Sequence, residues 1–163
     1  MVSTRDYRQE WDEKVGGYQI HSEEICVCPL CSGLLCRYGK RCRGVIESSG
    51  EKLPLVIRRL KCKLCGAIHH ELPDIVVPYK RYGTEAVEKI IAGDTDDVAC
   101  EVSTIRRIWA WWYSCRLYFE SIIASLRAKY GARFSACPAP REMFRAAVNA
   151  QLWPSTRSVF LPG

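Results

Sequence analysis

Cys28-Pro29-Leu30-Cys31 and Cys62-Lys63-Leu64-Cys65 are the residues of this chain whose type and spacing imply chemistry. Two residues between thiols let a tight turn aim both sulfurs and its own amide N–H groups at one ion, so two such knuckles supply four tetrahedral ligands. The expectation is one structural Zn²⁺ held by Cys28, Cys31, Cys62 and Cys65, with a closed coordination sphere and no open position for water or substrate. In small metallo-domains the binding of such an ion contributes on the order of 10 kcal/mol to folding. Three neighbours compete for a place: Cys26, on the same strand face as Cys28, and His69 and His70, which follow Cys65 closely.

The knuckles need strands to bring them together. The 30 residues between them are rich in β-branched and basic side chains, punctuated by Gly44 and Ser48-Ser49-Gly50, as expected for strands that fold back on each other. The opening MVSTRDYRQEWDEK has no apolar stretch of the kind that directs export, which favours metal over disulfides and a cytoplasmic location. No run of 18 apolar residues occurs, so no membrane span is expected. Cys100 and Cys115 fall on helical patterns and read as small apolar core residues.

Charge is distributed in blocks. Residues 41–81 carry 9 basic and 4 acidic side chains, 82–102 carry 1 and 6, and 103–163 carry 9 and 2. The first basic block maps onto the expected strands, where Arg41, Arg43, Arg58, Arg59 and Lys61 form a surface suited to phosphate contacts, which attract through counterion release without reading sequence.

From residue 84 the period changes to that of a helix. Thr84 reads as an N-cap and Gly93 as a left-handed stop, with Val87, Ile90 and Ile91 on one face. Asp94 to Cys100 predicts a short second helix. Asp94, Asp96 and Asp97 are explained there by capping rather than by a cation site. Ser103 caps a third helix, STIRRIWAWW, in which Ile105, Ile108, Trp109 and Trp112 recur at core spacing, while Thr104, Arg106, Arg107 and Trp111 fall outside that stripe. A short helix, a turn and a third helix that exposes arginines have the outline of a helix-turn-helix, which places Ser103, Thr104, Arg106 and Arg107 at a DNA major groove. Trp111, read as exposed, is the aromatic available to stack an unpaired base. Tyr113 to Tyr130 either extends the third helix or packs back on it, with Phe119, Ile122, Ile123, Leu126 and Tyr130 on one face and an exposed side suited to a homodimer. Pro140 opens a last helix with Phe144, Ala147 and Val148 inward, and the tail from Pro154 onward is read as loose.

The succession Cys28-Pro-Leu-Cys31, IRRLKCKLCGAIHHELPD, VPYKRYG and CEVSTIRRIW resembles a family of short, uncharacterised bacterial proteins and, more distantly, is similar to the amino-terminal zinc ribbon and helix-turn-helix of insertion-sequence transposases. The resemblance covers roughly residues 26–113. It implies metal ligands at Cys28, Cys31, Cys62 and Cys65 and DNA contacts at Ser103, Thr104, Arg106 and Arg107. Those transposases continue into a nuclease domain with separated carboxylates, whereas only 50 residues follow Tyr113 here and Glu120 and Glu142 are their only acids. Two-metal strand cleavage needs several converging carboxylates, so no enzyme is expected.

The fold class that follows is α+β: an amino-terminal extension (1–25), a small β zinc ribbon (26–79), a helix-turn-helix with a long helix (80–131), then a linker, short helix and tail (132–163). The expected function is zinc-dependent binding of double-stranded DNA by a regulator or an accessory of a mobile element. The alternative is an adaptor that docks on a protein partner such as a transposase or a transcription complex.

Overall fold

The run KLPLVIRRLKC becomes the strand around which the others assemble. In the computed structural model, which describes residues 1–154 of the 163-residue chain, six strands precede three α-helices: β1 (Val2–Thr4), β2 (Tyr7–Asp12), β3 (Gly17–Ser22), β4 (Leu35–Ile46), β5 (Lys52–Cys62), β6 (Ile68–Pro73), α1 (Thr84–Ala92), α2 (Val102–Tyr130) and α3 (Pro140–Asn149). The mixed α+β class stands. β4 runs antiparallel along the whole of β5, from Leu35 opposite Cys62 to Ile46 opposite Lys52. The other edge of β5 is shared, β6 pairing antiparallel at Arg59–Lys61 and β3 parallel at Leu55–Val56. Residues 1–25 are part of the same sheet, since β2 and β3 form a hairpin and β1 lies parallel to β6. Ile20 is buried there, whereas Trp11 stays exposed with its ring edge-on to Tyr18.

The helices depart from expectation over 94–100 and at their N-caps, and of the two courses open to 113–130 the extension of the third helix is the one taken. No helix forms over 94–100; the amide of Ala99 instead donates to the Ser48 carbonyl at 2.8 Å, and that of Val98 to Thr95. The segment is therefore tied by one amide to the β4–β5 turn and by the others to local turns, and α1 and α2 are joined by an irregular connection rather than by the tight turn of a helix-turn-helix. The third helix and the one after it are a single 29-residue helix, α2. Its N-cap is Glu101, with no side-chain capping bond, so Ser103 lies inside the helix. Thr84 is likewise inside α1, its hydroxyl donating to the Asp74 carbonyl at 2.6 Å, with Gly83 as the cap. Gly93 takes the left-handed conformation expected of it, at φ 88°.

Two apolar cores result. One lies within the sheet (Ile20, Val45, Leu55, Ile57, Leu72, Val76). The other joins α1, α2 and α3 through Ile108, Trp111, Trp112, Cys115, Phe119 and Phe144. Ile105 and Trp109 are half-buried, and Trp111, read from sequence as exposed, is buried beneath the Lys80 ammonium at 4.2 Å. Pro140 begins α3, and Phe144, Ala147 and Val148 point inward as expected. The reading of a loose tail falls, beyond Pro154, outside the described residues. Among the described residues no helix is long and apolar enough to cross a membrane.

Candidate metal centre

β5 ends at Cys62 and the chain returns as β6, so the second knuckle is a turn between paired strands. The first knuckle precedes β4 and folds onto it through the amide of Leu35, which donates to the Cys26 carbonyl at 3.3 Å. Inside the first loop the amides of Ser32 and Cys28 bond the carbonyls of Cys28 and Gly33, both at 2.7 Å. In the second the amide of Gly66 bonds the Cys62 carbonyl at 3.2 Å. The residue after the second cysteine is left-handed in both loops, Ser32 at φ 59° and Gly66 at φ 72°.

These turns bring the four sulfurs of Cys28, Cys31, Cys62 and Cys65 within 4.8 Å of one another. Cys28 Sγ lies 3.7 Å from Cys65 Sγ, and Cys31 Sγ 3.4 Å from Cys62 Sγ. A disulfide needs about 2.05 Å, and the cysteines are free thiols. Four sulfurs around one tetrahedral ion at a metal–sulfur distance of about 2.3 Å are about 3.8 Å apart. The donor set fits a metal of that size, held by one buried and one exposed cysteine from each knuckle.

The surroundings act in opposite directions on the two facing thiols of Cys31 and Cys62. Amides of Cys65 and Leu64 hydrogen-bond Cys62 and lower its pKa to about 6. The Gly33 amide acts in the same direction on Cys31, but hydrogen bonds with Cys62 and Cys65 outweigh it and push that thiol up to about 12. Gly33 packs closely on the other loop: a Cβ there would lie 2.9 Å from Leu64 Cδ1 and 3.0 Å from Cys62 Sγ, so a side chain would have to displace Leu64 and press on the sulfur. That contact escaped the sequence reading because it joins loops about thirty residues apart.

The competing ligands are placed elsewhere. His69, 3% exposed, sets Nε2 within hydrogen-bond reach of Cys28 Sγ at 3.4 Å but lies outside the group of four mutually close sulfurs. Burial, followed by the charge of the neighbouring amino terminus, lowers its pKa. Cys26 Sγ sits 3.6 Å from Glu71, and burial together with that carboxylate pushes its thiol up to about 11. His70 belongs to the opposite face of β6 from His69 and lies outside the sulfur cluster.

The five expected sheet cations separate into two groups. Arg58 makes a two-pronged ion pair with the fully buried Glu71, closing at 2.6 Å on one prong, and also donates to the Ser22 carbonyl. Arg43 donates to the carbonyls of Val77 and Lys80. Both are occupied in holding the fold. Arg41 and Lys61 are exposed and Arg59 half-buried; Arg41 lies opposite Ile57, and Arg59 and Lys61 follow on the same face of the sheet. His70 pairs with Arg59 on that face, and burial followed by the charges of Arg41, Arg59 and Arg43 lowers its pKa, a sign of a locally positive field. On α2, Ser103, Arg106 and Arg107 are exposed and Thr104 half-buried; Arg107 folds back onto the Ser103 carbonyl and Thr104 hydroxyl, and Arg106 projects from the first turns.

No curated protein and no solved structure matches the chain. Residues 28–109, about half of the sequence, match a protein family, from the first cysteine of the first knuckle to Trp109 in α2, so all four sulfurs and both basic surfaces lie within the match. The protein belongs to the family described as a domain of unknown function, DUF6431.

Proposed function

We propose that this is a zinc-dependent, non-enzymatic DNA-binding protein, a regulator or an accessory of a mobile element. The observation that carries the reading is the row Arg41, Arg59 and Lys61 on one face of β4 and β5, beside the four cysteines. Four soft thiolates in tetrahedral array select zinc among the common divalent ions. The ion fixes the two knuckles, and with them the strand ends that present the cations. These cations contact phosphate, while Ser103, Thr104, Arg106 and Arg107 at the start of α2 supply base contacts to double-stranded DNA. Without the tight turn of a helix-turn-helix, α2 would enter the groove as a single long helix anchored by the sheet.

The experiment pairs zinc analysis with duplex binding over a range of salt. One zinc per chain and a steep loss of affinity with salt are expected. Arg41→Ala with Lys61→Ala weakens all sequences alike and flattens the salt slope, whereas Arg106→Ala costs about 1–3 kcal/mol on a preferred sequence. Salt-independent binding, or none by the zinc-loaded chain, rejects the reading.

A specific observation favours the adaptor as a second reading. Leu30 and Leu64, at matching positions of the two knuckles, are 63% and 75% exposed, and Tyr113 and Leu117 lie one turn apart on α2 at 68% and 69%. Apolar side chains so placed suit a protein partner or a second copy of the chain.

A further inference from the structure

The pairing of β4 with β5 slips between Arg37 and Gly39, which leaves Tyr38 with no partner across the strands. A bulge of this kind re-aims the side chain it releases. Tyr38 stands 52% exposed, with the Arg59 guanidinium 5.2 Å and the Lys61 ammonium 5.6 Å from its ring centre. Beside it a shallow recess of about 570 Å³ lies over the second knuckle, walled by Arg37, Tyr38, Lys61, Lys63, Leu64 and Gly66 together with Cys36, Cys62 and Cys65. Its volume falls within the range of about 300–1,000 Å³ typical of small-ligand sites. Three of its walls are cations and no carboxylate lines it.

We propose that this recess binds one unstacked nucleotide of a single-stranded nucleic acid, the base lying on Tyr38 against Leu64 and the phosphate held by Arg37, Lys61 and Lys63. The proposal rests on the nucleic-acid reading above and deepens it. An aromatic face recognises a base only when that base has left the duplex stack, whereas cations contact the phosphates of either form. Tyr38 therefore confers a preference for single strands that the surrounding charges cannot. Trp111, the sequence-level candidate for stacking, is buried among the helices, so an exposed ring on the sheet takes that role. Cys62 and Cys65 are themselves part of its wall, so its shape depends on the four-cysteine cluster.

The test uses the full, metal-loaded chain, with fluorescence anisotropy on a labelled thymidine oligonucleotide of about ten residues and on a hairpin duplex at one salt concentration. Tyr38→Leu is expected to weaken the single strand about tenfold and to leave the duplex within about twofold, while Tyr38→Trp retains the single-strand affinity. Lys61→Ala weakens both probes. Tyr38 is exposed and has no cross-strand partner, and zinc content together with thermal unfolding shows that each variant is folded. Equal loss on the two probes, or no loss with Tyr38→Leu, overturns the nucleotide site while duplex binding leaves the DNA reading standing. Binding of neither probe overturns both. Displacement of the oligonucleotide by thymidine monophosphate at a concentration matching the oligonucleotide Kd overturns the assignment to a strand.

Discussion

The sheet and the helices of this protein are held together by different physics. Among the described residues the helical core gathers sixteen buried side chains, with Phe119 and Phe144 in ring contact with each other and with both Trp111 and Trp112, whereas the sheet core gathers six aliphatic ones. What the sheet lacks in apolar burial it replaces with four converging cysteines and a buried Arg58–Glu71 pair. Neither substitute acts like a core: an ion pair in the interior is a weak source of net stability, and the sulfurs repel one another unless a cation joins them. A β surface can therefore be free of covering helices and present cations outward, provided a metal fixes its ends. The two cores meet at neighbouring residues, Val76 in one and Val77 in the other.

Metal removal separates these regimes most sharply. Chelation, or Cys62→Ser, is expected to remove on the order of 10 kcal/mol from the sheet, enough to unfold it. The helices should persist, read as retained helical circular dichroism and a near-ultraviolet tryptophan signal while protease cuts the knuckles. A single concerted loss of both regions would mean that the sheet is required for the helical core. The converse perturbation is Phe119→Ala, which empties a fully buried site touched by the rings of Trp111, Trp112 and Phe144. It should cost about 3–5 kcal/mol, lower the melting of the helical signal and leave one metal per chain.

Glu24 links the two regions and gives their coupling a pH dependence. One carboxylate oxygen accepts from the Thr4 hydroxyl and the amides of Arg5 and Asp6, and the other is 3.3 Å from Arg145 on α3. Burial alone would raise its pKa, but those amides, the hydroxyl and Arg145 together hold it below its ordinary 4.5. Because the folded value is depressed, the stabilisation is complete above about pH 4.5 and is lost as pH falls through the folded value. Glu24→Gln should therefore cost about 1 kcal/mol at pH 7, a figure kept small by partial solvation, and should flatten the acid limb of a stability profile. An unchanged acid limb would assign the link to the Ser3–Asn149 backbone contacts instead.

How far the sequence could be read follows the same division. The cysteine spacing was legible because local geometry determines what two intervening residues can do, and the structure brings together the same four sulfurs. The Gly93 stop and the Pro140 start were legible for the same reason. The helix at 94–100 was not, because the Ala99 amide found its acceptor at Ser48, far back in the chain. The orientation of Trp111 was misjudged through phase. Read on ten residues, the stripe was 105, 108, 109, 112; over all 29 it is 108, 111, 112, 115, 119, 122 and 123, a regular repeat that places Trp111 inside. The bulge at Tyr38 and the packing of Gly33 against Leu64 and Cys62 depend on strand register and loop apposition, for which a single sequence carries no local signal.

The smallest effect tests the likeness of the two knuckles. Ser32 and Gly66 occupy the same position after the second cysteine and share a left-handed backbone, at φ 59° and 72°. Glycine adopts that conformation freely, whereas a side chain there costs about 1 kcal/mol. No atom lies within 4 Å of where a Gly66 Cβ would be, so the penalty at that position is conformational rather than steric. Ser32→Gly should then stabilise the chain by up to about 1 kcal/mol, offset in part by the greater freedom of glycine in the unfolded state, and Gly66→Ser should destabilise it by a comparable amount. If the two loops are equivalent supports of one ion, the double exchange should be nearly neutral in both unfolding and metal affinity. A residual deficit in metal affinity would show that the two knuckles hold the ion unequally, the left-handed glycine of the second contributing more than the serine of the first.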